Sequence, residues 1–173
     1  MDNRIGWDAY FMSIAKAVSV RSSCIKRQVG AVIVIDNRIV STGYNGTPRG
    51  LVNCNDGGCP RCSSLIASGE KLDECLCSHA EENAIVQAAS HGVSIKGGVL
   101  YTTFSPCLMC AKMIINADLS RVLYGEEYPC DKGAKSLLSS SKVRHWLAEK
   151  LPLVPHSTHI NIFDVNKPDL LLL

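Results

Sequence analysis

Cys77-Ser78-His79-Ala80-Glu81-Glu82-Asn83-Ala84-Ile85 and Ser105-Pro106-Cys107-Leu108-Met109-Cys110-Ala111-Lys112-Met113-Ile114 are the two stretches on which the reading of the fold turns. Each reads as the start of a helix. Ser78 is a candidate N-cap, which puts Glu81 and Glu82 in a first turn, where carboxylates suit the helix dipole. Pro106 suits the first helical position, whose N–H would lack a partner in any case. Cys107 and Cys110 are three residues apart, so one helical face carries both sulfurs. A helix start and a bound metal both favour thiolate over thiol. His79, Cys107 and Cys110 thus have the identities and spacing of three ligands for a tetrahedral zinc, with the fourth position open. Two thiolates and a neutral imidazole would cancel the ion's charge, and a water on the open position would ionise at a pH of about 7. Glu81, two residues beyond His79, could reach that water without ligating the metal. The alternative is an ordinary closed zinc site or a set of buried thiols; neither calls for Glu81 or an open position.

Working outward, the pattern is that of an α/β domain. Trp7 to Val20 reads as an amphipathic helix, with Tyr10, Phe11, Ile14, Ala15, Ala17 and Val18 near a 3.6-residue period. Residues 28–35 and 38–42 are β-rich runs separated by Asp36-Asn37, a two-residue hairpin signal. Val29 to Ile35 is almost wholly apolar, which predicts a central strand covered on both faces. Gly43-Tyr44-Asn45-Gly46-Thr47-Pro48-Arg49-Gly50 is dense in turn residues and predicts a loop, whose glycines would let backbone approach a ligand. Residues 79–91 read as a helix closed by Gly92, 98–103 as a strand, 106–116 as a helix, 121–125 as a strand and 132–140 as a helix. The order β-α-β-α-β predicts three layers, α/β/α, with both metal-ligand helix starts opening at one edge of the sheet. Beyond Lys142 the signal weakens. Residues 159–165 alternate as a strand would, and Leu170 to Leu173 suit a packed terminus or a subunit contact. Residues 1–173 are read as one domain, with 143–173 its least defined segment.

Residues 51–77 form a cysteine-rich insert: Cys54, Cys59, Cys62, Cys75 and Cys77 crowd into it, with few apolar anchors around them. Metal ligation would stabilise such a loop. Cys24, just before the first strand, could join. The expected set for a second, closed zinc site is Cys24, Cys54, Cys59 and Cys75, with Cys62 or Cys77 as a possible substitute. Nine cysteines without an export signal favour reduced, metal-bound sulfur and a cytoplasmic location. The hydrophobic share of 46% and charged share of 20% suit a soluble globular chain, and no run approaches the roughly 20 apolar residues of a membrane span. Two zinc ions on six thiolates would bring the formal charge of +2 to about zero, which argues against broad capture of nucleic acid.

The H-x-E … P-C-x-x-C pattern at His79, Glu81, Pro106, Cys107 and Cys110 is the signature of the zinc deaminases. Trp7 to Met12, Arg21 to Cys24, Gln28 to Val34, Gly43 to Gly50, His79 to Glu81 and Tyr128-Pro129 extend the likeness, and together the chain resembles the deoxycytidylate (dCMP) deaminase family, most closely its bacterial and phage branch. The resemblance covers roughly residues 5–135. It implies a cytidine-deaminase-like fold with a five-stranded mixed sheet. It implies hydrolysis of dCMP to dUMP with release of ammonia, supplying thymidylate synthesis. On that family pattern Glu81 is the catalytic acid–base, Asn45 meets the sugar, and Tyr128 belongs to the nucleotide pocket. Ala80, Ser105 and Pro106 would face the substrate. The resemblance also implies a homo-oligomer, often a hexamer, and dCTP and dTTP as effectors with Mg²⁺ at the Gly43–Gly50 loop, where Gly46 and Arg49 lie. A nucleotide needs a cation for its phosphate, and Lys26, Arg27, Arg49 and Lys132 are candidates. Rival readings are a tRNA adenosine deaminase, a deaminase of dCTP or another cytosine nucleotide, and a zinc-stabilised binding module without catalysis. No partner nucleic acid and no membrane are expected.

Overall fold

The structure, a computed structural model, describes residues 4–67, 70–128 and 132–148. Helix α1 (Trp7–Ser19) leads to strand β1 (Gly30–Ile35) and strand β2 (Arg38–Tyr44). Asp36 and Asn37 join the two strands with φ of 48° and 57°, the positive pair that a two-residue hairpin turn requires. A short helix α2 (Pro60–Ser63) lies in the cysteine-rich segment, between single 3₁₀ turns at Cys54–Asp56 and Leu72–Glu74. Then follow α3 (Ala80–Ser90), β3 (Val99–Phe104), α4 (Leu108–Asn116), β4 (Arg121–Glu126), α5 (Lys132–Ser139) and β5 (Arg144–Leu147). No helix among the described residues is long and apolar enough to cross a membrane.

The strands form one mixed sheet in the order β2-β1-β3-β4-β5. β1 is antiparallel to β2 and β3, while β3, β4 and β5 run parallel. The side chains of this sheet alternate between two apolar layers. Ala31, Ile33, Leu100, Val122 and Tyr124 pack with the alanines of α3, with Ala111 and Ile114 of α4, and with Leu138 of α5. Val32, Val34, Tyr101 and Leu123 pack with Phe11, Met12 and Ala15 of α1. Because both faces of β1 are covered, the run reads as unbroken hydrophobics, as the sequence led one to expect.

Three expectations shift. β2 continues to Tyr44, so the turn-rich loop begins at Asn45 rather than Gly43. A Cβ on Gly43 would lie 2.2 Å from the carbonyl oxygen of Ala80, so this glycine admits α3 against the sheet rather than a ligand. The strand beside β4 is Arg144–Leu147, which the sequence did not announce; its side chains are mostly exposed, so it carries no apolar alternation to read. The strand expected at 159–165, the tail at 170–173 and Pro129 lie outside the described residues. Gly30 pairs with Tyr44 and Ala31 with Thr102, which brings the ends of β2 and β3 to one edge of the sheet. There α3 and α4 begin.

Candidate active site

The metal-ligand residues cap the two helices. His79 is the N-cap of α3 and Cys107 the N-cap of α4. The sequence pointed instead to Ser78 as a cap and to Pro106 inside the helix. The hydroxyl of Ser78 donates to Glu82 Oε1 at 3.3 Å, while the N–H of His79 donates to Glu82 Oε2 at 3.0 Å, so the cap moves one residue on. At α4 the Cys107 sulfur accepts the N–H of Cys110 at 3.5 Å, which leaves Pro106 just outside the helix. A sulfur that caps its own helix is held by backbone, which fixes the ligand before any metal arrives.

His79 Nδ1 lies 3.2 Å from Cys107 Sγ and 3.4 Å from Cys110 Sγ. The three atoms form one mutually close group. With Zn–N of about 2.0 Å and Zn–S of about 2.3 Å, a tetrahedral zinc spans an N···S edge of about 3.5 Å, so the donor set fits that ion. The electrostatics fit as well. The hydrogen bond from Cys110, then the nearby His79, hold the Cys107 thiol down at about 4. The hydrogen bond to Cys107 holds His79 up at about 9 against the pull of burial. The hydrogen bond that Cys110 itself makes with Cys107, with burial, pushes the Cys110 thiol well up. Two sulfurs and an imidazole already share charge and protons that a divalent cation would displace.

Glu81 sits against this group, only 4% exposed. Its Oε2 is 3.7 Å from Cys110 Sγ, and its Oε1 accepts from the hydroxyl of Thr102 at 3.2 Å. Burial pushes its carboxyl upward, and the neighbouring His79 and the Thr102 hydroxyl oppose that shift. Thr102 was not among the sequence candidates. The signal was there: two threonines interrupt the otherwise apolar run Val99–Phe104, and Thr102 is fully buried.

Residues 5–126 match the family described as the cytidine and deoxycytidylate deaminase zinc-binding region. The chain belongs to that family. The deoxycytidylate deaminase of Schizosaccharomyces pombe is 47% identical over 141 residues, covering 82% of this chain and 44% of that protein. The deoxycytidylate deaminase of Mycobacterium phage D29 is 38% identical over 130 residues, covering 72% of this chain and 98% of its own. A crystal structure of dCMP deaminase from the cyanophage S-TIM5 in complex with dCMP and dUMP superposes with a TM-score of 0.66 at 32% identity, over 80% of this chain and 93% of that one. The chain thus spans less than half the length of the S. pombe relative and nearly the whole of the phage proteins.

In this family member a cleft opens above the ligand triad. It is lined by His79, Ala80, Glu81, Ser105 and Cys107, together with Asn45, Arg27, Phe104 and Tyr128. Pro106, between two lining residues, does not line it itself. The Asn45 side chain is largely committed to the protein: Oδ1 accepts from the Val29 N–H at 2.8 Å and the Ser22 hydroxyl at 2.7 Å, and Nδ2 donates to the Arg27 carbonyl at 2.8 Å. One N–H of its amide is left for a ligand. Of the four candidate cations, Arg27 stands in this cleft with its guanidinium 4.5 Å from the ring centroid of Phe104 and 4.8 Å from that of Tyr128. Lys26 also lines the cleft, but its ammonium donates to the carbonyls of Ser64 and Ile66. Arg49 is exposed on an adjoining, wider cleft with Gly46 and Arg21, which shares Cys24, Lys26 and Arg27 with this one, and Lys132 is exposed and lines neither. Gly46 pairs with Ser78, a bridge that holds the strand end against the approach to His79.

The other cysteines do not assemble as expected. Cys24, Cys54, Cys59 and Cys75 do not form one group; Cys62 and Cys77 lie between the pair Cys24–Cys54 and the pair Cys59–Cys75. Spacing told which sulfurs are near in sequence. The turn at α2, with Cys59 just before it and Cys62 within it, decides which are near in space.

Proposed function

We propose that the chain is a zinc-dependent dCMP deaminase that converts dCMP and water to dUMP and ammonia. The observation that carries the reading is the closed triad of His79, Cys107 and Cys110 with a buried carboxylate beside it, under a cleft that holds an arginine between two aromatic rings. Zinc, when bound, supplies Lewis-acid activation of water at C4 of the base. The protein's own residues do the rest. Glu81 takes the proton of the attacking water, passes it to N3 of the ring, and then delivers a proton to the amine that leaves C4. Its burial keeps that carboxyl dry, so a proton can be held there at neutral pH rather than lost to solvent. The backbone at Ala80 and Ser105 borders the base, and the free N–H of Asn45 reaches toward the sugar. Arg27 is the phosphate ligand: its plane is fixed by the rings of Phe104 and Tyr128, which leaves the fork of donors preorganised for a phosphate.

The wider cleft with Arg21, Gly46 and Arg49 supports a second nucleotide site, where dCTP or dTTP with Mg²⁺ would act as effectors. Exposed apolar side chains, Val86 and Met109 among them, support a homo-oligomer. Free thiols support a reducing compartment such as the cytoplasm.

One assay tests the reading: ammonia release from dCMP, dCTP, deoxycytidine and a tRNA stem-loop in a single buffer, with the parent and with Glu81→Gln. The expected order has dCMP first, and deoxycytidine poorer by about 10⁴-fold because Arg27 then loses its partner. Glu81→Gln should lower turnover by at least about 10²–10⁴-fold while retaining zinc. Equal rates on dCMP and deoxycytidine, or turnover of the RNA alone, would overturn the mononucleotide reading.

A further inference from the structure

The sulfurs of Cys24, Cys54, Cys62 and Cys77 all lie within 4.8 Å of one another, and so do those of Cys59, Cys62, Cys75 and Cys77. These are two complete tetrads with two members in common. A single zinc would use one tetrad and strand the other two sulfurs. We infer that the chain carries a binuclear zinc–thiolate cluster, in which Cys62 and Cys77 bridge two zinc ions, Cys24 and Cys54 complete one, and Cys59 and Cys75 complete the other.

The distances have the right length for it. Cys24 and Cys62 are 4.0 Å apart, Cys59 and Cys75 3.9 Å, and Cys62 and Cys75 3.7 Å. The S···S edge of a tetrahedral ZnS₄ unit is about 3.8 Å when Zn–S is about 2.3 Å. A disulfide would need about 2.05 Å. An iron–sulfur cluster takes four thiolates, not six. The sequence builds the cluster economically: Cys59-x-x-Cys62 and Cys75-x-Cys77 each give the second zinc one terminal ligand and one bridge.

The surroundings point the same way. Backbone N–H groups of Lys26 and Arg27 are aimed at the Cys24 sulfur, those of Cys62 and Leu76 at Cys59, and that of Cys77 at Cys75. Donors thus converge on terminal sulfurs of both tetrads, as thiolates require, and neither tetrad looks like spare thiols. Among the described residues this core consists of cysteine side chains alone, without an aliphatic group to fill it. Six thiolates with two zinc ions make a dianion, and two cations stand beside it. Arg61, between Cys59 and Cys62, is only 6% exposed and donates to the carbonyls of Ala67 and Glu70; Lys26 donates to those of Ser64 and Ile66. Carbonyls satisfy the hydrogens of a buried guanidinium but leave its charge uncompensated, and a dianion supplies what is missing.

Metal content and the signature of bridging test the inference on the whole chain. Elemental analysis with native mass spectrometry should find about three zinc ions per chain in the parent and about two in the Cys107→Ser/Cys110→Ser double variant, since each tetrahedral centre takes one ion. That variant separates the cluster from the deaminase reading, which can fail independently. After exchange into ¹¹³Cd, the double variant should give two tetrathiolate resonances split by metal–metal coupling, which only shared sulfurs transmit. Cys62→Ser should remove the coupling and at least one metal. If Cys62→Ser does not fold, the coupling in the double variant still decides. One cadmium resonance in the tetrathiolate range with about two zinc ions in the parent, or two resonances without coupling, would overturn the cluster.

Discussion

Glu81 and Thr102 show how one hydroxyl can tune a buried acid. The carboxylate must begin ionised to accept a proton, and burial works against that. The Thr102 hydroxyl, 3.2 Å from Oε1, favours the ionised form. Thr102→Val keeps the shape and removes the donor. The Glu81 carboxyl then moves further up, the ionised fraction falls first at low pH, and the acid limb of the kcat/KM profile shifts to higher pH. A hydrogen bond to a charged group is worth about 1.5–3 kcal/mol, so activity at the acid end should fall by about tenfold or more relative to the plateau. An unmoved limb would mean that Thr102 does not support the ionised carboxylate. At this scale the sequence was readable where spacing alone defines chemistry, as for His79, Glu81, Cys107 and Cys110. It was not readable where partners are distant: Ser22, Arg27 and Val29 occupy most of the Asn45 amide, and no local pattern announces that.

At the level of elements, the hydrophobic period located nearly every helix and strand, and capping decided where they begin. α3 and α4 start one or two residues later than the Ser78 and Pro106 signals suggested, because His79 and Cys107 themselves serve as caps. β5 escaped notice because an exposed edge strand needs no apolar face. The element contact that matters most for the site is α3 on β2. At Gly43 an added Cβ would meet the Ala80 carbonyl oxygen at 2.2 Å and the Ala84 nitrogen at 2.4 Å, both backbone atoms that no rotamer can move. Gly43→Ala must therefore push the start of α3, and with it His79 and Glu81, away from the sheet. Overpacking of this kind costs about 1–3 kcal/mol. The variant should melt several degrees lower and lose kcat/KM by more than its stability alone explains, since a displacement near 1 Å can cost about 10²-fold in rate. Thermal melting and steady-state rates at a temperature where the variant is fully folded would check it. Parental kinetics there would show that α3 can shift without disturbing the triad.

The whole molecule divides by what holds it together. The sheet is secured by two apolar layers; Cys110 is buried in one of them and Cys107 packs against it. The excursion from Gly46 to Ser78 is clipped at its neck by the reciprocal hydrogen bonds of those two residues, but its interior is sulfur. Structural zinc carries on the order of 10 kcal/mol of apparent binding free energy, comparable with the whole stability of a domain at about 5–15 kcal/mol. Among its described residues the excursion has no other core to keep it ordered without metal, whereas the sheet keeps its own. A strong chelator should therefore abolish deamination and expose the excursion to trypsin at Arg49, Arg61 or Lys71, while the sheet persists. Trp7, stacked 5.6 Å from Phe11 on α1, and Trp146 on β5 report on the sheet and lie outside the excursion. Their emission should change little at chelator concentrations that already permit cleavage. Cys24, Cys62, Cys75 and Cys77 line the same cleft as Glu81 and Cys107, so the consequence is larger than local: the cluster is one wall of that pocket. Returning zinc should restore trypsin resistance and activity together. If cleavage and loss of tryptophan signal instead coincide across the chelator titration, metal and sheet form one cooperative unit.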